Sequence, residues 1–242
     1  MRRIRLRLPR GQWCTYRHLD LVHDAIVNAL TSAGAPSKQV VGPAAHPWTF
    51  AALGHHRGHE GRVHSLVVST ASPELGVALG ALDATAVRYV RAATGELIDF
   101  SGGAITVEDP PMCADPGVLG VVLLSPIAIS DRAADGKRWH TSLAAVDLSA
   151  AIKARLGRLA GRDVALTVQP DSLYLRANPE HSVLVITKRL RNGRSSFVIG
   201  MQAPLVLAGR REDLLLAWYA GIGEKTRNGF GCLGLAEEGV GR

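Results

Sequence analysis

Pro110 and Pro111 stand side by side after Asp109, and Asp115-Pro116-Gly117 follows a few residues later. Adjacent prolines remove two backbone donors and fix φ, so this stretch can continue neither a helix nor a central strand. The chain is therefore read as two consecutive units, residues 1–108 and 118–242, rather than one uninterrupted sheet. With 242 residues and 47% hydrophobic content, each unit has enough apolar material for its own core.

The first unit opens with strict alternation: Ile4, Leu6 and Leu8 on one side, Arg3, Arg5 and Arg7 on the other. Period two predicts a strand, whose arginine face suits either a polyanion or plain solvent at a sheet edge. Leu19, Val22, His23, Ile26, Val27 and Leu30 then recur at helical spacing opposite Asp20, Asp24 and Asn28, which predicts an amphipathic helix ending near Gly34 and Pro36. Pro47 to Leu53, rich in aromatic and β-branched residues, reads as a second strand. Gly54 to Gly61 reads as a loop and Val63 to Thr70 as a third strand. Pro73 to Leu82 is a short helix, and Ala86 to Phe100 is strand material. The order β, α, β, β, α, β is that of a ferredoxin-like unit.

Beyond the prolines, Val118 to Ile129 is an apolar strand and Leu148 to Leu159 a basic amphipathic helix with Lys153, Arg155 and Arg158. Val164 to Val168 and Val183 to Lys188 read as strands. Between the second of these and a strand over Ser196 to Leu207 lies Arg189-Leu190-Arg191-Asn192-Gly193-Arg194, an Asn-Gly hairpin tip. Such a tip serves no core, so Lys188, Arg189, Arg191 and Arg194 are candidates for contact with a polyanion. A last helix, Glu212 to Tyr219, leads into Gly221-Ile222-Gly223-Glu224-Lys225-Thr226-Arg227-Asn228-Gly229-Phe230-Gly231-Cys232-Leu233. Four glycines around a lysine and an arginine describe a backbone that can turn sharply and approach phosphate closely. Gly221, Gly223, Lys225, Arg227, Asn228, Gly229 and Gly231 are the candidate binding residues there.

No dinucleotide cofactor is expected, because a nicotinamide or flavin site needs a strand before its glycines and a βαβ unit after them. An ATP-binding loop is excluded as well: Glu224 separates Gly223 from Lys225, and Trp218 stands where the first glycine belongs. Against this background the charge is informative. Lys and Arg number 28 against 21 acids, a formal net charge of +7, which favours an acidic partner such as nucleic acid. Cys14, Cys113 and Cys232 are scattered, odd in number and without Cys-x-x-Cys spacing, so neither a disulfide framework nor a zinc ribbon is expected, and a reducing cytoplasm is the natural setting. No apolar run reaches membrane-spanning length.

The runs Val198-Ile199-Gly200 to Ala208-Gly209 and Leu214-Leu215-Leu216-Ala217-Trp218-Tyr219-Ala220-Gly221-Ile222-Gly223, closing with Asn228-Gly229-Phe230-Gly231-Cys232-Leu233, resemble the C-terminal signature of the CRISPR repeat-RNA processing endoribonucleases of the RAMP superfamily. Pro47 to Leu53 and Leu124-Ser125-Pro126 resemble two further family segments. The resemblance implies an α+β chain of two tandem ferredoxin-like (RRM-like) domains, the second ending in a strand, a helix and a glycine-rich loop that grips RNA. It implies cleavage of stem-loop CRISPR precursor RNA within its repeats without metal or cofactor, with other CRISPR effector subunits as further partners. The ribose 2′-OH attacks the adjacent phosphate, leaving a 2′,3′-cyclic phosphate.

That reaction needs groups that move protons and groups that offset charge, roles suited to histidine and to lysine or arginine. The family's histidine near the end of the first helix has no counterpart between Leu30 and Gly42. His46, in a proline-flanked loop entering a strand, is the first choice, with an ordinary loop histidine as the alternative. His23 is the rival, although its place on the apolar stripe also fits a core histidine. Tyr16 and Lys38 flank the first helix as candidate helpers. His55, His56, His59 and His64 crowd one region, but Gly54, Gly58 and Gly61 indicate a loop and no carboxylate or cysteine completes a shell, so no metal site is expected. Two other readings stay open: a non-catalytic RRM-like RNA-binding subunit, and a metal-dependent hydrolase built on that histidine loop.

Overall fold

The computed structural model describes residues 1–238 except 44, 58–59, 134–135 and 191. The chain forms two compact units. Unit 1 is Met1–Asp109 with Ile186–Phe197 and Arg227–Gly229; unit 2 is Pro110–Val185, Val198–Thr226 and Phe230–Arg242.

Unit 1 contains β1 (Arg2–Arg7), β2 (Cys14–Tyr16), α1 (Asp20–Ser32), α2 (Ser37–Val40), β3 (Trp48–Arg57), β4 (Glu60–Thr70), α3 (Pro73–Gly80), β5 (Arg88–Arg91), β6 (Glu96–Asp99) and β7 (Ala104–Val107). β4 pairs with β3 along one edge and with β1 and then β2 along the other, and β7 pairs with β1, all antiparallel. The order β3-β4-β1-β7 is ferredoxin-like. The alternation of β1 sets its register, placing Ile4 opposite Val68 and Leu6 opposite Leu66, all buried. α1 lacks a side-chain N-cap, which costs about 1 kcal/mol. Leu21, Ile26 and Leu30 are almost wholly buried on it, and at roughly 1.5–3 kcal/mol each they offset that several times over.

The arginine row of β1 is neither a solvated edge nor an open face. β1 is a central strand, and Arg3 and Arg5 both pair with Glu108, just past β7, while Arg3 is 1% exposed. Burial works against the Glu108 charge, but Arg3 and then Arg5 overcome it and hold the carboxyl below its ordinary value. Only Arg7 of the predicted row, with Arg2 before it, is exposed. The expected loop over Gly54 to Gly61 is also corrected: β3 runs to Arg57 and β4 starts at Glu60. The register shifts at Leu53/Gly54, and a Cβ on Gly54 would lie 1.8 Å from Arg62 O, so this glycine permits close strand approach at a bulge. Ala86 to Phe100 makes the separate β5–β6 hairpin, and the fourth strand of the main sheet is β7.

Unit 2 contains β8 (Gly117–Leu123), β9 (Ser130–Ala133), β10 (Gly136–Trp139), α4 (Leu148–Ala160), β11 (Leu166–Pro170), α5 (Ser172–Ala177), β12 (Ser182–Arg189), β13 (Ser195–Met201), β14 (Leu205–Gly209), α6 (Arg211–Ala220) and β15 (Leu233–Leu235), with the outer part of the β12–β13 hairpin assigned to unit 1. Its sheet order, β11-β14-β8-β15, repeats the ferredoxin-like permutation. The predicted strand over Val118 to Ile129 stops at Leu123, ahead of Pro126. That over Ser196 to Leu207 divides at 202–204, where Pro204 cannot donate to a ladder. Asp147 caps α4 by accepting the Ala150 N–H at 2.9 Å. α6 buries Leu214, Leu216, Ala217 and Trp218, and its fully buried Asp213 pairs with Arg162 at 2.6 Å and accepts the Ala165 N–H at 2.9 Å. The two units are thus each an α+β ferredoxin-like fold, and no helix is long and apolar enough to cross a membrane.

Candidate functional site

In unit 2, α4 carries Arg155 to the loop after α6. Its Nη1 donates to Gly221 O and its Nη2 to Thr226 Oγ1, each at 2.8 Å, so one planar guanidinium clamps both ends of the turn. The loop closes further as Ile222 N–H donates to Gly231 O (2.9 Å), Gly231 N–H to Pro126 O (2.9 Å) and Glu224 N–H to Ala128 O (2.7 Å). Gly221, Gly223, Gly229 and Gly231 are consequently buried, and the exposed residues of the stretch are Lys225 and Asn228. The glycines thus act first as close-packing positions, with the Gly231 amide already engaged inside the protein.

Residues 186–197 and 227–229, both of unit 1, meet the start of α1. Leu19 N–H donates to Ile186 O at 3.0 Å, and a Cβ on Gly229 would lie 2.8 Å from both Leu19 and Phe50. Lys188, Arg189 and Arg194 are exposed on the hairpin, whose tip is shaped by Leu190 N–H donating to Arg194 O at 2.7 Å and by Asn192 Oδ1 accepting the Arg194 N–H at 3.1 Å. Arg191 lies outside the described residues, as do His59 and the side chain of His56. A cleft of about 400 Å³ is lined by Tyr16, Arg17, His18, Glu60 and Arg189. His18, which sequence reasoning passed over, is buried with Nε2 3.4 Å from Ser195 Oγ, and its Nδ1 has no hydrogen-bond partner among the described residues. The only signal for it was its place directly ahead of an amphipathic helix.

Three of the four catalytic candidates lie on segments linked to Trp48, His23 through its ring and Lys38 and His46 through the backbone of the short helix α2. The Trp48 ring stacks on His23 with centroids 5.7 Å apart, and its Nε1 donates to Val40 O at 2.9 Å, at the end of the short helix that bears Lys38. Gln39 O in turn accepts the His46 N–H at 2.8 Å. His23 on the helical stripe is partly buried, with 18% of its side chain exposed and Nδ1 2.9 Å from Asp24 Oδ1, a contact that fixes the orientation of the ring. Lys38 is exposed and His46 half-buried. Arg227 reaches the same segment, donating from Nη1 to Gly42 O at 2.7 Å, and burial lowers its pKa. Tyr16 stands apart. It pairs with Gly61 on β4, is 5% exposed, and burial pushes its phenol well above the ordinary value. Among the described residues no group of three His, Cys, Asp or Glu side chains is placed to hold a metal ion.

No curated protein matches the chain in sequence. Solved structures share its fold. They include a RAMP protein that binds different RNA substrates (18% identity, 97% of this chain and 99% of that one, TM-score 0.68). A CRISPR associated protein Cas6 matches at 15% identity, 97% and 98% coverage and TM-score 0.65. The product of a Cas6-related gene from Pyrococcus furiosus matches at 17% identity, 98% and 99% coverage and TM-score 0.69. At these identities the likeness concerns fold. Residues 110–235, just over half of the 242, match the family described as CRISPR associated protein Cas6, C-terminal. The chain therefore belongs to the Cas6 family of CRISPR associated proteins.

Proposed function

We propose that this protein is an endoribonuclease that cleaves CRISPR precursor RNA within its stem-loop repeats, without a metal ion. In that reaction the ribose 2′ oxygen bonds to the adjacent phosphorus, the bond from phosphorus to the 5′ oxygen breaks, and the products end in a 2′,3′-cyclic phosphate and a 5′-hydroxyl. One proton leaves the 2′-OH and another reaches the departing 5′ oxygen. The observation that most supports this reading is the neighbourhood of Trp48: its ring stacks on half-buried His23, its indole N–H donates to Val40 O two residues after exposed Lys38, and the His46 N–H donates to the intervening Gln39 O. His23 and His46 are the proton-transfer groups. Lys38 and Arg227 offset the charge on the phosphorane. Tyr16, buried and held protonated, supports β2 rather than the chemistry. Free Cys14, Cys113 and Cys232 suit a reducing cytoplasm.

Incubating the protein with stem-loop repeat RNA in excess EDTA tests the reaction. Cleavage at one position with a cyclic phosphate terminus is the expected result. Cleavage abolished by the chelator and restored by a divalent cation would overturn the metal-free mechanism, and tight binding without cleavage would leave an RNA-binding subunit.

Lys188, Arg189, Arg194 and Lys225 are read as phosphate contacts, with Arg191 belonging to the same basic run. The packed glycines and Asn228 shape the turn that presents Lys225. Each phosphate contact contributes about 0.7 to the log-log salt slope on single strands and about 0.9 on duplex. A Lys188→Ala/Arg189→Ala/Arg194→Ala protein should therefore show a slope shallower by about 2 to 3 when repeat-RNA affinity is titrated against salt. An unchanged slope would remove the hairpin from the interface.

A further inference from the structure

Unit 2 carries a second basic surface, on the β9–β10 hairpin, that the sequence did not reveal. β9 and β10 pair Arg132 with Lys137 and Asp131 with Arg138, and Arg132, Lys137 and Arg138 are exposed. Neither Arg132 nor Arg138 has an ion-pair partner among the described residues. The Lys137 ammonium lies 4.6 Å from the centre of the Trp139 ring. The foot of the hairpin is fixed by Glu224, which accepts the Ser130 N–H at 3.0 Å and the Ser130 hydroxyl at 2.8 Å and pairs with Lys137. Burial opposes the Glu224 charge, but Lys137 and Ser130 overcome it and keep the carboxyl below its ordinary value. The hairpin is thereby tied to the glycine-rich turn that exposes Lys225.

Beside this foot opens a cavity of about 510 Å³, lined by Ser130, Asp131, His140, Asp147, Arg155 and Arg158. Its volume is in the range of ordinary small-ligand pockets, roughly 300–1,000 Å³. Arg155 is engaged with Gly221 and Thr226, and His140 Nε2 sits 2.8 Å from Asp131 Oδ2, so exposed Arg158 is the available cation. A bare anion fits poorly, because Asp131, Asp147 and Glu224 all border the space. A duplex cannot place a base there, since its bases are stacked and paired. An unpaired nucleotide answers both charges: its phosphate meets Arg158, and an exocyclic amino group donates to a carboxylate oxygen.

We propose that the β9–β10 hairpin and this cavity form a binding site for single-stranded RNA, taking one unpaired nucleotide into the cavity while Arg132 and Arg138 hold the flanking phosphates. The choice of RNA as the polymer rests on the function proposed above.

The test uses Arg132→Ser/Arg138→Ser/Arg158→Ala in the full chain, keeping Lys137 because its pair with Glu224 holds the hairpin foot. Three probes are titrated: a stem-loop repeat, the same stem-loop with an unpaired extension, and oligocytidine. The triple variant should bind the extended RNA and oligocytidine about tenfold or more weakly, with a salt slope shallower by about 2. Its binding and cleavage of the bare stem-loop should be unchanged. Equal affinities of wild type and variant for the extended RNA would overturn the site, as would equal losses on all three probes, which would mean that the hairpin reads the stem. Oligocytidine needs no repeat sequence, so it keeps the two readings apart. A wild type that binds it through these arginines but neither binds nor cuts the repeat would preserve the hairpin site and sink the repeat-processing function.

Discussion

A Gly231→Ala protein is expected to lose about 4 kcal/mol of stability or more, enough to unfold much of the population. The added Cβ would stand 1.8 Å from Ile222 O and 2.9 Å from its carbonyl carbon, and both are backbone, which no rotamer change can move. The residue also sits at φ +65°, where an L side chain costs a further 1–2 kcal/mol, roughly. The neighbourhood cannot relax outward. Phe230 and Cys232 on either side are fully buried, and Gly231 holds Ile222 through its carbonyl and Pro126 through its amide. Gly193→Ala supplies the contrast: φ is +79°, but nothing lies within 4 Å of the new Cβ, so about 1 kcal/mol is the expected loss. Urea midpoints of the two variants measure the difference. A Gly231→Ala midpoint equal to that of Gly193→Ala would show that the loop is not closed on Ile222 as described.

The same loop shows what the sequence could and could not convey. Its four glycines are visible in the chain, and a need for close backbone approach follows from them. Whether the approaching partner is a phosphate or the protein's own Ile222 and Phe50 depends on contacts set by packing, which spacing does not encode. The alternation of β1 was legible because one residue's neighbours decide it. The fate of Arg3 was not, because Glu108 lies 105 positions away. Glycine content misled at Gly54, where a bulge inside a long hairpin has the same local composition as a loop. β7 was hidden because four residues between Gly103 and Glu108 are too few to show a period. At the candidate site the residue types were readable, but the stacking of His23 on Trp48 and the bonds from Trp48 and His46 to the α2 backbone arise only when α1, α2 and the start of β3 pack together.

His23→Ala is expected to slow single-turnover cleavage of repeat RNA by about 10²- to 10⁴-fold while leaving binding within a few-fold of wild type, the usual loss for one general acid or base. Two contacts fix the orientation of the His23 ring. Asp24 holds Nδ1 at 2.9 Å, and the Trp48 ring lies alongside at 21° between planes, so the imidazole is held in one orientation. With 18% of its side chain exposed, it is accessible yet partly shielded from water. Asp24→Asn should cost less than removing the ring, because orientation is weakened but the titrating group remains. His46→Ala should slow cleavage by a similar factor if the two histidines divide the two proton transfers, and the double variant should then lose little beyond the larger single effect, since groups acting as a unit are strongly non-additive. Trp48→Phe separates positioning from folding. It keeps a ring beside His23 but removes the bond to Val40 O, so a folded Trp48→Phe protein with reduced rate and normal binding would place the α2 segment in the site. Wild-type rates for both His23→Ala and His46→Ala would move the reaction to charge stabilisation by Lys38 and Arg227, and Lys38→Ala/Arg227→Ala would then have to abolish it.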